Sequence, residues 1–177
     1  VYAGDENYFR KVRDWCDKKG LLLILDEIQT GMCRTGSLFS YQELDIEPDI
    51  ITLAKGLGGG VPIGAFLSKE HCSLFSPGEH GSTFGGNPLT CSAGFAVLSY
   101  MLRTKMPAHV KEIGSYLQDG LLRLKDKFPF ITQVRGKGLL WAVEFKDERA
   151  EGITMALLKK GLLVNKVKPD ALRLMPP

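Results

Sequence analysis

The chain has 177 residues, 44% of them hydrophobic and 24% charged, with a formal net charge of +3; this is the make-up of a folded globular protein of one domain, or one and a half small ones, and not of a disordered segment. Lys and Arg are mixed with Asp and Glu throughout, without the basic block or aromatic-interleaved stripe of a nucleic-acid binder; no apolar run reaches the roughly 18 residues of a membrane span, and no signal peptide opens the chain. Four cysteines (Cys16, Cys33, Cys72, Cys91) include no C-x-x-C pair and three histidines (His71, His80, His109) no H-E-x-x-H, so neither a disulfide framework nor a metal site is expected and reduced, cytoplasmic thiols are.

The first element is "DENYFRKVRDWCDKKG", where Asp5 is a candidate N-cap, Phe9, Val12 and Cys16 recur at three and four, and Gly20 stands where a helix C-terminal glycine belongs. The spacing predicts an amphipathic helix. It leads into "LLLILDEIQTG", whose apolar run over 21–25 predicts a strand buried on both faces, as in parallel sheets. A loop rich in Gly and Thr, a short helical stretch near 39–44 and a turn at "EPD" precede a second buried strand, "DIITLA". Helix, strand, loop and strand in this order predict an α/β layer with parallel strands. "PIGAFLS" is a third strand candidate. "GEHGSTFGGNP" is a long glycine loop ending in Asn87 and Pro88, which suit the N-cap and first position of a helix over 88–103.

Beyond Arg103 the texture changes. "PAHVKEIGSYLQDGLLRLKDKF" predicts a long amphipathic helix, followed by short strands at "ITQVRG" and "GLLWAVEF", a helix over 151–160, and strands at "LLVN" and "ALRLM". A second, smaller α/β unit therefore begins near residue 104, dividing the chain into 1–103 and 104–177.

Ligands of parallel sheets lie beyond the carboxyl ends of the strands, which is where Asp26 stands. Two chemistries place an acid there: the metal-facing acids of P-loop ATPases, and an acid that partners a cofactor. Nothing in the chain matches G-x-x-x-x-G-K-[ST], the loop such ATPases need. Lys55 ends the second strand, in "IITLAKGLGGG". A lysine is ordinarily a solvated surface residue, but this one follows an apolar strand and precedes four glycines within five residues. A nucleophilic lysine needs desolvation or storage as an imine, because an unperturbed pKa of about 10.4 leaves little free amine at pH 7. Asp26 and Lys55, at the ends of two adjacent strands, are the pair that pyridoxal phosphate requires: a lysine for the Schiff base and an acid to hold the pyridinium proton. An opposite charge at hydrogen-bonding distance moves a pKa by about 1 to 3 units, or roughly 1.4 to 4 kcal/mol.

The stretches "LDEIQTGMCRTG", "PDIITLAKGLGGGVPIGA" and "HGSTFGGNPL" closely resemble the class III, fold type I aminotransferases, nearest their bacterial acetylornithine branch, and the resemblance covers nearly all 177 residues. It implies that 1–103 is the second half of the large pyridoxal-phosphate-binding domain, with a mostly parallel sheet and flanking helices, and that 104–177 is most of a small C-terminal α/β domain. It implies that Asp26 pairs with the pyridine nitrogen, Gln29 hydrogen-bonds the ring hydroxyl side and Lys55 carries the cofactor covalently. Ser82 and Thr83 are expected to reach the neighbouring subunit's site, Ser82 on the substrate side and Thr83 on the cofactor phosphate; Arg173, in "LRLMPP", clamps the substrate α-carboxylate. The implied activity is transamination between N-acetylornithine and 2-oxoglutarate in arginine biosynthesis, by a cytoplasmic homodimer with its site completed across the interface. Ornithine, succinylornithine and 4-aminobutyrate aminotransferases of the same class, and a non-catalytic module that kept the fold, are the alternatives. Arg34 and Arg135 are expected to be structural, Trp141 a core residue, and Cys33 a space-filler where many relatives have Gly. A first residue Val1 rather than Met, and a family chain more than twice as long, lead us to expect a piece of a larger protein, without the loop that cups the phosphate or the ring that stacks on the cofactor.

Overall fold

The computed structural model describes residues 1–177. They divide into two units, one of Gly4–Pro107 and one of Ala108–Pro177 together with Val1–Ala3. The sequence places the boundary near 104 and gives no sign that the first three residues leave the unit that follows them.

In the first unit, α1 (Glu6–Lys19) starts where the Asp5 side chain accepts the Tyr8 N–H at 3.2 Å and stops at Gly20, whose φ of 63° is the left-handed conformation that glycine adopts without strain. Strands β1 (Ile24–Asp26) and β2 (Ile50–Leu53) run parallel, with Ile24 opposite Ile50 and Asp26 opposite Thr52. The third strand, β3 (Ala65–Ser68), pairs with β2 but runs antiparallel to it. Residues 54–64 are too short a connection for the crossover that a parallel pairing needs.

The strand expected over 21–26 is shorter and more exposed than its composition suggests. Leu23 is buried, but Leu22 and Ile24 are 52% and 56% exposed. β1 is an edge strand, and no element of the chain pairs on its outer side. Helix α2 (Pro88–Arg103) begins with Asn87 accepting the Thr90 N–H at 3.1 Å and Pro88 in the first turn. It packs on the turn after β2: a Cβ added at Gly94 would stand 3.6 Å from the Leu57 carbonyl oxygen.

Asp49 fixes the amino end of this sheet. Its Oδ2 accepts the buried Leu23 N–H and an Arg13 Nη1–H, each at 2.8 Å, while Lys69 Nζ and His71 Nε2 lie 3.8 and 3.5 Å from Oδ1. Its own N–H donates to the Leu23 carbonyl at 2.9 Å. One carboxylate thus ties α1 to the register of β1 on β2. The Leu23 N–H, with Arg13 beside it, holds the Asp49 carboxyl below the usual carboxylate range.

In the second unit an antiparallel sheet runs in the order β4 (Ile131–Lys137), β5 (Leu140–Phe145), β7 (Ala171–Leu174), β6 (Asn165–Lys168). One face packs on α3 (Met106–Lys127) and α4 (Ala150–Lys159) through a core of Leu121, Ile131, Trp141, Val143, Phe145, Ala150 and Leu172. Trp141 is in that core, its Nε1–H donating to the Gly138 carbonyl at 2.7 Å. The strand expected over 162–165 lies later, at Asn165–Lys168, because Gly161 (φ 80°) ends α4 and the apolar Leu162 and Leu163 remain exposed ahead of the pairing. No helix is long and apolar enough to cross a membrane.

Candidate active site

The parallel pairing brings the carboxyl ends of β1 and β2 to the same edge, and two side chains there point to chemistry. Asp26 closes β1 and is exposed. Its Oδ1 accepts the Ile28 N–H at 2.9 Å and the Thr52 hydroxyl at 3.2 Å, which fixes the carboxylate plane. Oδ2 takes no hydrogen bond from the chain and is available to a donor from outside it.

Lys55 begins the 3₁₀ turn Lys55–Gly58 directly after β2. Its φ of 47° is a left-handed conformation that a side-chain-bearing residue adopts at a cost of about 1–2 kcal/mol. The turn and α2 behind it hold that conformation. The side chain is exposed and forms no ion pair. The lysine thus comes off the strand at a fixed, unfavourable angle beside the acid that ends the neighbouring strand.

Glu27, the second acid of the pair, has a separate function that the sequence did not reveal. It is 3% exposed. Its Oε2 accepts the Thr30 hydroxyl at 2.5 Å, its Oε1 accepts the Tyr41 N–H at 2.8 Å, and its own N–H reaches the Thr52 carbonyl at 3.0 Å. It binds the turn that carries Gln29 and the 3₁₀ segment Ser40–Glu43 to the strand ends. The following loop is buried although polar in sequence. Cys33 is 1% exposed with φ 67°, next to Met32 at φ 54°, and burial pushes its thiol pKa up. A left-handed backbone is the reason glycine suits this position.

Gln29 is half-buried in the turn after Glu27, on the same sheet edge as Asp26 and Lys55. Ser82 and Thr83 are elsewhere in the first unit, on the exposed loop before α2, where the Ser82 hydroxyl accepts the Gly85 N–H at 3.0 Å. Arg173 belongs to the second unit, on β7, half-buried, with its Nε sequestered from solvent and without a hydrogen-bond partner. The structure therefore gathers three of the expected residues at one strand edge and places the other three in two separate locations.

Comparison with known proteins gives the family. The family model for class-III aminotransferases matches residues 1–177. The acetylornithine aminotransferase of Caldanaerobacter subterraneus subsp. tengcongensis is 47% identical over 177 residues, covering all of this chain and 45% of that protein. The crystal structure of the acetylornithine aminotransferase from Elizabethkingia anophelis superposes with a TM-score of 0.95 at 37% identity, over 100% of this chain and 46% of the other. The ornithine aminotransferase of Toxoplasma gondii, whose structure reveals partial occupancy of PLP at the protein active site, does so with a TM-score of 0.91 at 38% identity, over 96% of this chain and 41% of the other. The chain spans less than half the length of each of these relatives.

Proposed function

The chain belongs to the class-III aminotransferase family, and from that premise we propose that it forms part of the active site of a pyridoxal-phosphate-dependent aminotransferase. The observation that carries this reading is the acid and the lysine at the carboxyl ends of two adjacent parallel strands, one with an open carboxylate oxygen and the other in a strained, exposed turn. That donor set fits the cofactor. Asp26 Oδ2 would hold the proton on the ring nitrogen, Gln29 the ring hydroxyl side, and Lys55 Nζ the aldehyde carbon.

When bound, pyridoxal phosphate supplies an electron sink for the carbon that carries the substrate amine. Asp26 would keep that sink effective: its Oδ1 is held by two donors, which leaves Oδ2 to meet the protonated ring nitrogen. An opposite charge at hydrogen-bonding distance is worth about 1.4 to 4 kcal/mol in general. Lys55 Nζ, at the end of the neighbouring strand, would be the group that takes a proton from the substrate carbon and returns it. Arg173 takes the substrate carboxylate on its unpartnered guanidinium. In this reading the exposed Ser82 and Thr83 serve a neighbouring subunit, Ser82 toward substrate and Thr83 toward the phosphate, and the working form is a homodimer.

The amino donor we favour is N-acetylornithine with 2-oxoglutarate as acceptor, in cytoplasmic arginine biosynthesis, supported by the names of relatives such as the acetylornithine aminotransferase of Caldanaerobacter subterraneus. Ornithine is the second candidate, supported by the fold likeness to the ornithine aminotransferase of Toxoplasma gondii. Borohydride reduction of the cofactor-loaded full-length protein, followed by peptide mapping, tests the assignment. The cofactor should be fixed to the peptide containing Lys55 and lost from it in Lys55→Ala. Labelling at a different lysine refutes the reading.

A further inference from the structure

We propose that Arg135 is a positioning residue that holds Glu144 away from Arg173 and thereby keeps Arg173 free to take a carboxylate. The proposal rests on the reading of Arg173 given above and extends it to two residues that the reading leaves unassigned.

Sheet register carries the inference. Arg135 on β4 faces Ala142 on β5, and Ala142 faces Arg173 on β7; one step along the same face, Gln133 faces Glu144 and Glu144 faces Ala171. Directly opposed residues, and those two apart, share a face of a sheet. Arg135, Glu144 and Arg173 therefore lie together on the face turned away from Trp141, Val143 and Leu172, which are in the core. Glu144 has an arginine diagonal to it on each side, at a spacing of about 7–8 Å that long side chains readily cross. Ala142 between the two arginines is too small to keep them apart.

In the structure Glu144 pairs with Arg135 alone. Arg135 Nη2 donates to Glu144 Oε1 at 2.5 Å, and the two side chains are 17% and 19% exposed. The rest of the guanidinium is equally committed: Nε donates to the Val1 carbonyl at 2.5 Å, Nη1 donates to Gln133 Oε1 at 2.7 Å, and the ring of Tyr2 lies 4.4 Å from its central carbon. Held by two other acceptors and a ring, this arginine offers a fixed Nη2, and Glu144 Oε1 meets it. Arg173 is left with no ion pair and with a buried Nε that nothing in the chain satisfies. A buried, unpaired guanidinium nitrogen is costly unless something from outside completes it, and a carboxylate presents the matching pair of oxygens. Remove Arg135, and Glu144 keeps its charge and a guanidinium within reach. Two other cations act on Glu144, Lys168 and the Val1 ammonium; each is a single point charge, Lys168 from an edge strand, against the bidentate fork of Arg173.

The test uses the cofactor-loaded full-length protein, steady-state kinetics with 2-oxoglutarate, and calorimetric binding of glutarate, an unreactive dicarboxylate. Arg135→Gln should raise the KM for 2-oxoglutarate and the Kd for glutarate by about tenfold or more, with kcat changing less than about threefold. Adding Glu144→Gln to it should return both constants to within about threefold of the unmodified protein, a rescue that loss of a merely structural ion pair does not give. If Arg135→Gln does not fold, Arg135→Lys, which keeps the charge but not the fork, is read in the same way. If Arg173→Gln weakens glutarate binding but the double variant remains as weak as Arg135→Gln, the positioning role is wrong and Arg173 stands. If Arg173→Gln binds glutarate like the unmodified protein, the reading of Arg173 itself fails, and this proposal with it.

Discussion

Replacing Glu27 separates the structural acid of the Asp26–Glu27 pair from the chemical one, and its cost can be worked from the contacts. Glu27→Ala leaves the Tyr41 N–H without its acceptor at 2.8 Å and the Thr30 hydroxyl without its acceptor at 2.5 Å. Each abandoned, partly buried donor costs about 1 kcal/mol, at the low end of the usual range of roughly 1–3, and removal of the one buried methylene adds roughly 0.8 kcal/mol. The sum is about 3 kcal/mol, reduced to the extent that water reaches Tyr41. Glu27→Gln keeps an oxygen for the Tyr41 N–H and a group that the Thr30 hydroxyl can meet, so it should cost about 1 kcal/mol. Both substitutions loosen the turn whose Ile28 N–H fixes Asp26 Oδ1, so cofactor affinity should fall in the same order. The assay is chemical denaturation of the full-length protein followed by circular dichroism, with the cofactor Kd measured on the folded baseline. If Glu27→Ala lies within about 0.5 kcal/mol of the unmodified protein, or if Gln is as damaging as Ala, the hydrogen-bonding account is wrong.

Two further substitutions test the scaffold of the same unit. Asp49→Asn should destabilise the protein at pH 7 by about 1–3 kcal/mol, since the buried Leu23 N–H keeps an acceptor while Arg13 loses the more buried of its two carboxylate partners and keeps only Asp17. Because folding depresses the Asp49 pKa, its charge contributes stability above the unfolded value of about 3.9, and that contribution disappears as pH falls through the folded value; the gap between Asp49→Asn and the unmodified protein in urea midpoint should therefore close below about pH 4, and a gap independent of pH would contradict the assignment. Cys33→Gly should be at least as stable as Cys33→Ala although it removes more atoms, because relief of the left-handed backbone, about 1–2 kcal/mol, exceeds the roughly 0.5–1 kcal/mol of extra chain entropy that glycine loses on folding; denaturation midpoints in the opposite order would show that the backbone at 33 is not strained.

Local signals carried the helices. Asp5 and Gly20 bracket α1 and Asn87–Pro88 opens α2 at the residues that capping chemistry indicates. Asp26 and Lys55 could be read because strand ends are where α/β sheets place ligands and because three stretches of sequence match a known family. What escaped was non-local. The direction of β3 depends on the length of the connection before it, and the exposure of Leu22 and Ile24 on what lies beside an edge strand; neither is written in the strand's own residues. The burial of Glu27 depends on the Tyr41 N–H, fourteen positions away, and the hub at Asp49 on Arg13 and Leu23. Arg135, which the sequence suggests is structural, gains its significance only when the register sets it and Arg173 on either side of Glu144.

The two ends of the parallel pair treat their charges in opposite ways, and the contrast supports the functional reading. At the amino end Asp49 is buried and surrounded by Arg13, Lys69 and His71, with its oxygens engaged. At the carboxyl end Glu27 is likewise consumed internally, by a hydroxyl and a backbone N–H. Asp26 and Lys55 stand at the same edge as Glu27, carry opposite charges, and are not paired with each other or with any other ion: Asp26 has one oxygen tied down and one open, and Lys55 is held in a conformation that costs energy. A sheet selected only for stability would close that edge as it closes the other, since an acid and a base on neighbouring strands are easily joined. Leaving both uncommitted while engaging the adjacent Glu27 is what a site requires when its acid and its lysine must meet different atoms of one bound group, and it ties the strain at Lys55 to chemistry rather than to a fault of packing.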